Sequence, residues 1–371
     1  MGKILYAEND AKVGFWLCWL YSKFSVYILT SLFFITFGFT HAENSNTSSA
    51  IQLIKSNQKK RRHDPHNPPQ TNIPRNGKIR FLTFHYNQPE LIFLQNQAFK
   101  AFIQDDYEMI VFNDAATDEM AQQIQLACEK AGVHSVRYEQ HWHETNLLNA
   151  RVRSWLSNPA ISFRDLPDIP SNMLANGSVR HCHVIQYALD NFGYQYNDIV
   201  VILDGDLIPI RPISVRSLLH NAVIAGSFRG NFLYFWVTFI AMDMLNLPDK
   251  EELFFSIDVI NNVLRDSGAH SYYYLQRHRA LPRKIFQAIE SHNLSSRDLE
   301  SLKAKHRFTE SEYQLIKTII ESNHQVDFQV ENHFLHLRAS RSDEVMRTKL
   351  PIVKEFVLNR IANFQKTGNI E

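Results

Sequence analysis

Cysteine is scarce in this chain. Cys18, Cys128 and Cys182 are the 3 among 371 residues, an odd number set far apart, with neither CxxC nor Cys/His zinc spacing. That scarcity gives no ground for a disulfide framework or a structural zinc site. An excess of either charge is also missing, since 39 Lys+Arg against 38 Asp+Glu leave a formal charge of +1. No overall electrostatic pull toward nucleic acid or anionic lipid results, which argues against a non-specific nucleic-acid binder. Walker loop, dinucleotide GxGxxG, nucleic-acid motif and internal repeat are all absent from the sequence.

Apolar material is plentiful. At 44% hydrophobic and 21% charged, the chain can bury at least one large core, which excludes disorder, collagen and a disulfide mini-scaffold and allows one to three domains. From Gly14 to Phe39 it runs GFWLCWLYSKFSVYILTSLFFITFGF, 26 residues with one charge at Lys23, long enough to cross a bilayer. The competing reading is a cleaved signal peptide, with Phe24 to Phe39 apolar and Thr40-His41-Ala42 as the cleavage site. Trp, Phe and Leu all round the helix argue against a buried core helix. Lys3, Lys12 and Lys23 lie before or within it and Lys55, Lys59, Lys60, Arg61 and Arg62 after it, so the positive-inside rule leaves topology open. Residues 43–77, rich in Asn, Ser, Gln and Pro around a KKRR run, read as a linker or stem. The expected organisation is a transmembrane or signal segment over 1–42, a linker over 43–77 and one globular domain over 78–371. The protein would be membrane-associated through a single N-terminal segment, or exported after cleavage.

The globular part opens as a strand, IRFLTF, a loop, and a helix in LIFLQNQAFKAFIQ. YEMIVFNDA repeats the pattern as a buried strand ending at Asn113-Asp114, followed by the helix TDEMAQQIQLACEKAG, stopped by Gly132. HSVRYEQ reads as a third short strand. Residues 141–177 look irregular, broken by Pro159, Pro167 and Pro170, as an active-site insertion would be. SVRHCHVIQYALDNFGY is a helix with Ser178 as N-cap and Gly193 as stop, leading into DIVVILDGDLIPIRPI. Five consecutive apolar residues in IVVIL suit a central strand covered on both faces. This alternation predicts an α/β fold, a mostly parallel sheet flanked by helices with a crevice at the carboxyl ends of its strands. Tyr86-Asn87, Asn113-Asp114 and Asp204-Gly205-Asp206 would line that crevice.

Two carboxylates one residue apart at the end of a buried strand need a partner, because unpaired ionised groups near a core are costly. A divalent cation such as Mg2+ or Mn2+ supplies one, and can bridge diphosphate oxygens. A solvated turn closing the strand is the plain alternative.

The stretch IVVILDGDLIPIRPI resembles the DxD region of GT-A-fold glycosyltransferases, which use nucleotide-sugar donors, and FLTFHYNQPELIFLQNQAFKAF resembles their first strand and helix. The resemblance spans roughly residues 78–340. It implies that Asp204 and Asp206 hold the metal and that Tyr86, Asn87 and Asp114 approach the nucleotide. RDSGAHSYYYL resembles the acceptor-side loop of such enzymes, with Asp266 as the catalytic or acceptor-holding carboxylate and Asp258 in reserve. The plain reading of that stretch is an Asp-Ser-Gly turn before a Tyr-rich strand. VDFQVENHFLHLRAS resembles the late strand that supplies a histidine ligand, His336 ahead of His333, with Arg338 and Arg341 placed to meet phosphate. No Gly-Lys-Pro-Trp-type segment follows His336.

Arg180, His181 and His183 sit in the first turns of the helix before the DxD strand. Arg180 could contact diphosphate, while surface or capping roles suit the histidines. His141 and His143 in HWHE lack a partner motif. Asn46, Asn176 and Asn293 lie in N-x-S/T sequons. FTESEYQLIKTIIES and SDEVMRTKLPIVKEFVLNRIANFQ read as helices, the second opening on Asp343 and Glu344 and kinked or broken at Pro351.

The resemblance thus implies a metal-dependent transferase that moves a sugar from a nucleotide diphosphate sugar to a hydroxyl of a glycan, lipid or protein, with residues 228–275 on the acceptor side. Two alternatives stand. One is a phosphohydrolase of the haloacid-dehalogenase-like type with Asp204 as nucleophile and Asp206 as acid/base, although there the DxD strand normally opens the domain. The other is a membrane-tethered binding module with a degenerate sugar-nucleotide site.

Overall fold

The computed structural model describes residues 77–138, 178–229, 233–291, 298–306, 308–338 and 343–370, all within the compact unit Pro68–Glu371. The N-terminal segment, the stem up to residue 76, the 141–177 insertion with His141 and His143, the three sequon asparagines and Arg341 lie outside the described residues. Among the described residues no helix is long and apolar enough to cross a membrane.

Thirteen strands form along the described chain: β1 Ile79–His85, β2 Tyr107–Asn113, β3 His134–Arg137, β4 Ile199–Asp204, β5 Leu207–Pro209, β6 Ile224–Phe228, β7 Phe235–Asp243, β8 Asp258–Ile260, β9 Val263–Arg265, β10 Arg283–Phe286, β11 Ile289–Glu290, β12 Asp327–Gln329 and β13 Phe334–His336. Seven make the main sheet in the order β10-β6-β7-β4-β1-β2-β3. All its neighbours pair parallel except β7, which runs antiparallel to both β4 and β6. The chain builds outward from β1 through β2 to β3, then returns to the other side of β1 with β4. That reversal is a topological switch point, and β1 and β4 open a crevice at their carboxyl ends.

The apolar runs explain themselves in this sheet. Alternate residues of a strand face opposite ways, so Leu82, Phe84, Val200 and Ile202 join one core cluster while Ile79, Phe81, Val201 and Leu203 join another. Burying each such side chain contributes about 1.5–3 kcal/mol. The helix Pro89–Phe102 begins with proline at its first position, where the missing N–H costs nothing. Helix Asp118–Ala131 is capped by the Thr117 side chain, which accepts from the Met120 N–H, and ends at Gly132 with φ 69°.

A second sheet, β11-β12-β13-β5, is antiparallel. Its edge strand β5 follows β4 directly, so the two-residue step Gly205-Asp206 hands the chain from one sheet to the other. Helices Pro89–Phe102, Glu310–Glu321 and Asp343–Thr367 pack on this sheet through Leu94, Ile316, Val353 and Val357 against Ile208, Phe328 and Leu335.

Several local expectations are corrected. The Tyr-rich stretch after Gly268 is a helix, Ser271–Arg277. Its β propensity yields to tertiary packing, because Tyr274 is fully buried and its hydroxyl donates to the Pro248 carbonyl. VDFQVENHFLHLRAS is a hairpin of β12 and β13 rather than one strand. Positive φ at Val330, Glu331 and Asn332 makes its turn. The described stretch from residue 178 opens on the helix Ser178–Ala188, and the Ser178 hydroxyl donates to Asp266. That helix passes into a π turn, Leu189–Gly193. Pro351 breaks nothing, since the helix runs from Asp343 through it to Thr367. Val353 and Val357 are fully buried and Ile361 nearly so on one helical stripe beyond it. Their combined burial outweighs the roughly 3 kcal/mol that an interior proline costs.

Candidate metal and nucleotide site

Strand register assembles the site. In the parallel ladders Asp204 pairs with Phe84 and Asn113 with His85, so three strand ends reach one level. In the second sheet His336 pairs with Leu207, one residue beyond Asp206, and the Leu337 N–H donates 3.0 Å to the Asp206 carbonyl. Two distant segments thereby deliver Asp204, Asp206 and His336 to one point, with ligand-type atoms within 4.8 Å of one another. His336 Nε2 stands 3.3 Å from Asp206 Oδ1 and 3.9 Å from Asp204 Oδ2.

The electrostatics at this point call for positive charge. Burial alone would lower the His336 imidazole, but Asp206, Asp327 and Asp204 outweigh it and raise it to about 10. The protonated ring therefore supplies the charge that a bound cation would otherwise bring. Two carboxylate oxygens and one imidazole nitrogen are a donor set that fits Mn2+ or Mg2+.

Around this centre lies a crevice of about 360 Å³, within the span of small-molecule sites. His181 lines it with Nε2 2.9 Å from Asp204 Oδ1, so this histidine holds the first carboxylate of the DxD. Gly205 is required by space. A Cβ there would lie 2.4 Å from the Phe84 carbonyl oxygen and 2.8 Å from His85 Nδ1. His85 is itself buried beneath the turn, where burial pushes its imidazole down to about 4. Gln95 donates to the Asp204 and Leu207 carbonyls and presents its Oε1 to His85 Nε2 at 3.2 Å. His85 is thus a neutral ring with its proton on Nε2.

The nucleotide-side candidates divide. Arg180 Nε donates 2.6 Å to Asp114 Oδ2, both side chains under 10% exposed, and its guanidinium lies 3.6 Å from the centre of the Tyr86 ring. Tyr86, Asp114 and Arg180 therefore form one stacked, ion-paired unit on the crevice wall. Asn87 does not line the crevice. At φ 54° it turns the chain, and its Oδ1 accepts from the Ala116 N–H at 3.0 Å, tying the loops after β1 and β2.

The acceptor-side carboxylates are both occupied. Asp266 accepts from Ser178 and Ser267 and meets Arg229 at 3.2 Å. Burial alone would raise its carboxyl, and these partners more than reverse that, holding it below the usual range. Asp258 is fully buried and paired with His270 Nδ1 at 2.6 Å, away from the crevice lining. His333 Nδ1 lies 2.9 Å from the Val330 carbonyl within the hairpin turn.

Arg229 and Arg338 line the crevice beside Trp236, their guanidinium carbons 5.0 and 5.2 Å from its ring centre. Sequence reasoning gave His181 little weight and passed over His85, Arg229 and Trp236. His85, one residue before Tyr86-Asn87 at a strand end, is the one the pattern could have flagged.

No protein-family model matches the chain, and no curated protein matches it. Among solved structures it is similar to a glucosyl-3-phosphoglycerate synthase from Mycobacterium tuberculosis in complex with phosphoglyceric acid, at 14% identity and a TM-score of 0.30, covering 57% of this chain and 69% of that one. A mannosyltransferase from Pyrobaculum calidifontis in complex with GDP-Man and Mn2+ is 12% identical with a TM-score of 0.32, covering 86% and 83%. The apo-form glycosyltransferase GlyE of Streptococcus pneumoniae is 12% identical with a TM-score of 0.36, covering 80% and 65%. With every one of these TM-scores below 0.5, the likeness is a loose one.

Proposed function

We propose that this protein is a metal-dependent glycosyltransferase that moves a sugar from a nucleoside diphosphate to an acceptor hydroxyl. The carrying observation is the meeting of Asp204, Asp206 and His336 at the switch point of a mostly parallel sheet, a convergence of two sheets that a solvated turn does not need. Those three residues would hold Mn2+ or Mg2+, which supplies neutralising charge for a departing diphosphate. His181 fixes the Asp204 carboxylate. The Tyr86–Arg180–Asp114 unit offers a flat, polar-edged wall for the nucleoside. Arg229 and Arg338 present positive charge to phosphate oxygens as charge develops. In the transfer the bond from the anomeric carbon to diphosphate oxygen breaks, the bond to the acceptor oxygen forms, and the acceptor proton passes to a base. The resemblance assigns that base to Asp266 or, in reserve, Asp258. The low carboxyl of Asp266 and its three partners suit an anchoring role for Arg229 better.

The site supports this reading over the phosphohydrolase, because His181 and His336 both engage the carboxylate that would have to attack phosphorus. The apolar segment Gly14–Phe39 would tether the enzyme to a membrane or direct its export, with a glycan, lipid or protein as acceptor. Binding of a panel of nucleotide sugars to the full chain, with and without Mn2+, tests the proposal against Asp206→Ala. Metal-dependent binding of one donor, lost in the variant, is the expected result. A folded chain that ignores every donor but releases phosphate from a phosphomonoester would overturn it in favour of the hydrolase, and binding without turnover would mark a degenerate module.

A further inference from the structure

The metal reading leaves one buried carboxylate without a task. Asp327 is fully buried, and in the β12–β13 ladder it is the cross-strand partner of His336. Its Oδ2 lies 3.4 Å from His336 Nδ1, on the ring edge opposite the two carboxylates of the DxD. Arg338 Nε donates to the same oxygen, while Oδ1 has no hydrogen-bond partner among the described residues. A buried carboxyl group with one oxygen unsatisfied is costly for a purely structural brace, since half its acceptor capacity is wasted.

A second group competes for the same ring nitrogen. The Gln329 amide nitrogen lies 3.3 Å from His336 Nδ1, and its oxygen accepts 2.7 Å from the Thr238 hydroxyl. An amide donor at Nδ1 wants a lone pair there and so favours the proton on Nε2, where it blocks coordination. A carboxylate at Nδ1 wants the proton and leaves the Nε2 lone pair facing Asp204 and Asp206. Which neighbour wins decides whether His336 can be a ligand at all.

We propose that Asp327 is a positioning residue that holds His336 in the Nδ1–H tautomer and so makes Nε2 a metal ligand. The inference rests on the cation site proposed above. Carboxylate–histidine–metal relays of this kind fix ring orientation and raise ligand basicity, and losing the outer carboxylate typically weakens metal binding by about 10–100-fold. The two-strand register supplies the geometry without any loop, because Asp327 and His336 face each other across adjacent strands and His336 meets the DxD across the next pair.

Two measurements on the full chain test it. In histidine-selectively 15N-labelled protein saturated with Mg2+, His336, assigned by its own substitution, should show a protonated Nδ1 and an unprotonated Nε2. A deprotonated Nδ1 would overturn the proposal, and this readout needs no variant to fold. In Mn2+ titrations followed by electron paramagnetic resonance, Asp327→Asn should bind Mn2+ about 10–100-fold more weakly than wild type. Glu290→Gln, which neutralises the other anchor of Arg338 at 3.0 Å, should stay within about threefold, the scale of a partly exposed ion pair. Equal weakening in both variants would mean that Asp327 acts only by holding Arg338, and wild-type affinity in a folded Asp327→Asn chain would likewise sink the idea. If the wild-type chain binds no Mn2+, the cation site itself falls and the inference falls with it, an outcome distinct from loss of the tautomer preference alone.

Discussion

Two turns of this molecule set aspartate beside glycine, and they have opposite surroundings. In Asp204-Gly205-Asp206 the carboxylates face histidines and the open crevice. In Asp266-Ser267-Gly268 the carboxylate is enclosed by Arg229, Ser178 and Ser267, which outweigh burial and hold it below its ordinary range. Glycine serves both turns by close approach. A Cβ at Gly205 would meet Phe84 oxygen at 2.4 Å, and one at Gly268, with φ 88°, would meet Phe235 oxygen at 2.2 Å. Alike in composition, the first turn keeps its carboxylates open to the crevice and the second is already neutralised from within. The partners of a carboxylate, more than its motif, tell whether it has capacity left for chemistry.

The comparison can be broken or sharpened by substitution. Asp206→Ala should have the largest effect, a loss of about 1,000-fold in sugar transfer from the lost stabilisation of developing charge, measured as steady-state turnover. Equal activity would place the chemistry elsewhere. Gly205→Ala forces a methyl into contact with backbone and should destabilise the chain by about 2–3 kcal/mol, read from denaturant unfolding. His181→Ala frees one oxygen of Asp204 and should weaken Mn2+ affinity by about tenfold, with little change in melting temperature.

Asp266→Asn gives the smallest change, about 1 kcal/mol at neutral pH from lost charge-assisted hydrogen bonds. Its sign with pH is definite. The folded carboxyl sits below its ordinary value, so its contribution is complete above the unfolded pKa of about 3.9 and disappears as pH falls through the lower folded value. Stability curves of wild type and Asp266→Asn should therefore converge in acid and stand apart at neutrality. If Asp266 were instead the working base, its substitution would also abolish turnover, read from steady-state kinetics rather than from the stability curves.

What the sequence made legible was local. The βα units, the Gly132 stop and the central IVVIL strand depend on periodicity and near neighbours, and each stands in the fold. The Asp-x-Asp pair was equally visible, because two charges closing a buried strand are anomalous in one dimension. His336 entered through family resemblance alone, since its meeting with Asp206 depends on pairing between β13 and β5, far apart in sequence. Asp327 was hidden because VDFQVENHFLHLRAS read as a single strand, whereas its fold into a hairpin sets Asp327 opposite His336. Asn87 and Asp258 were chosen by type and place, but one turns a loop and the other pairs inward with His270. His181 stayed obscure because its partner Asp204 lies on another element and no spacing rule connects them.

The hand-over of the chain from one sheet to the other at Gly205-Asp206 reaches beyond chemistry. Asp204 closes the central strand β4 of the main sheet, His336 belongs to the smaller sheet, and Asp206 to the step between them. Any charge seated among them is a rivet between two layers that also meet through apolar packing and the Thr238–Gln329 hydrogen bond. Occupancy of the site would then be felt as mechanical stiffness, with amide exchange slowing in the hairpin Asp327–His336 whenever the site is filled. A crevice so built would be held most firmly when its site is filled.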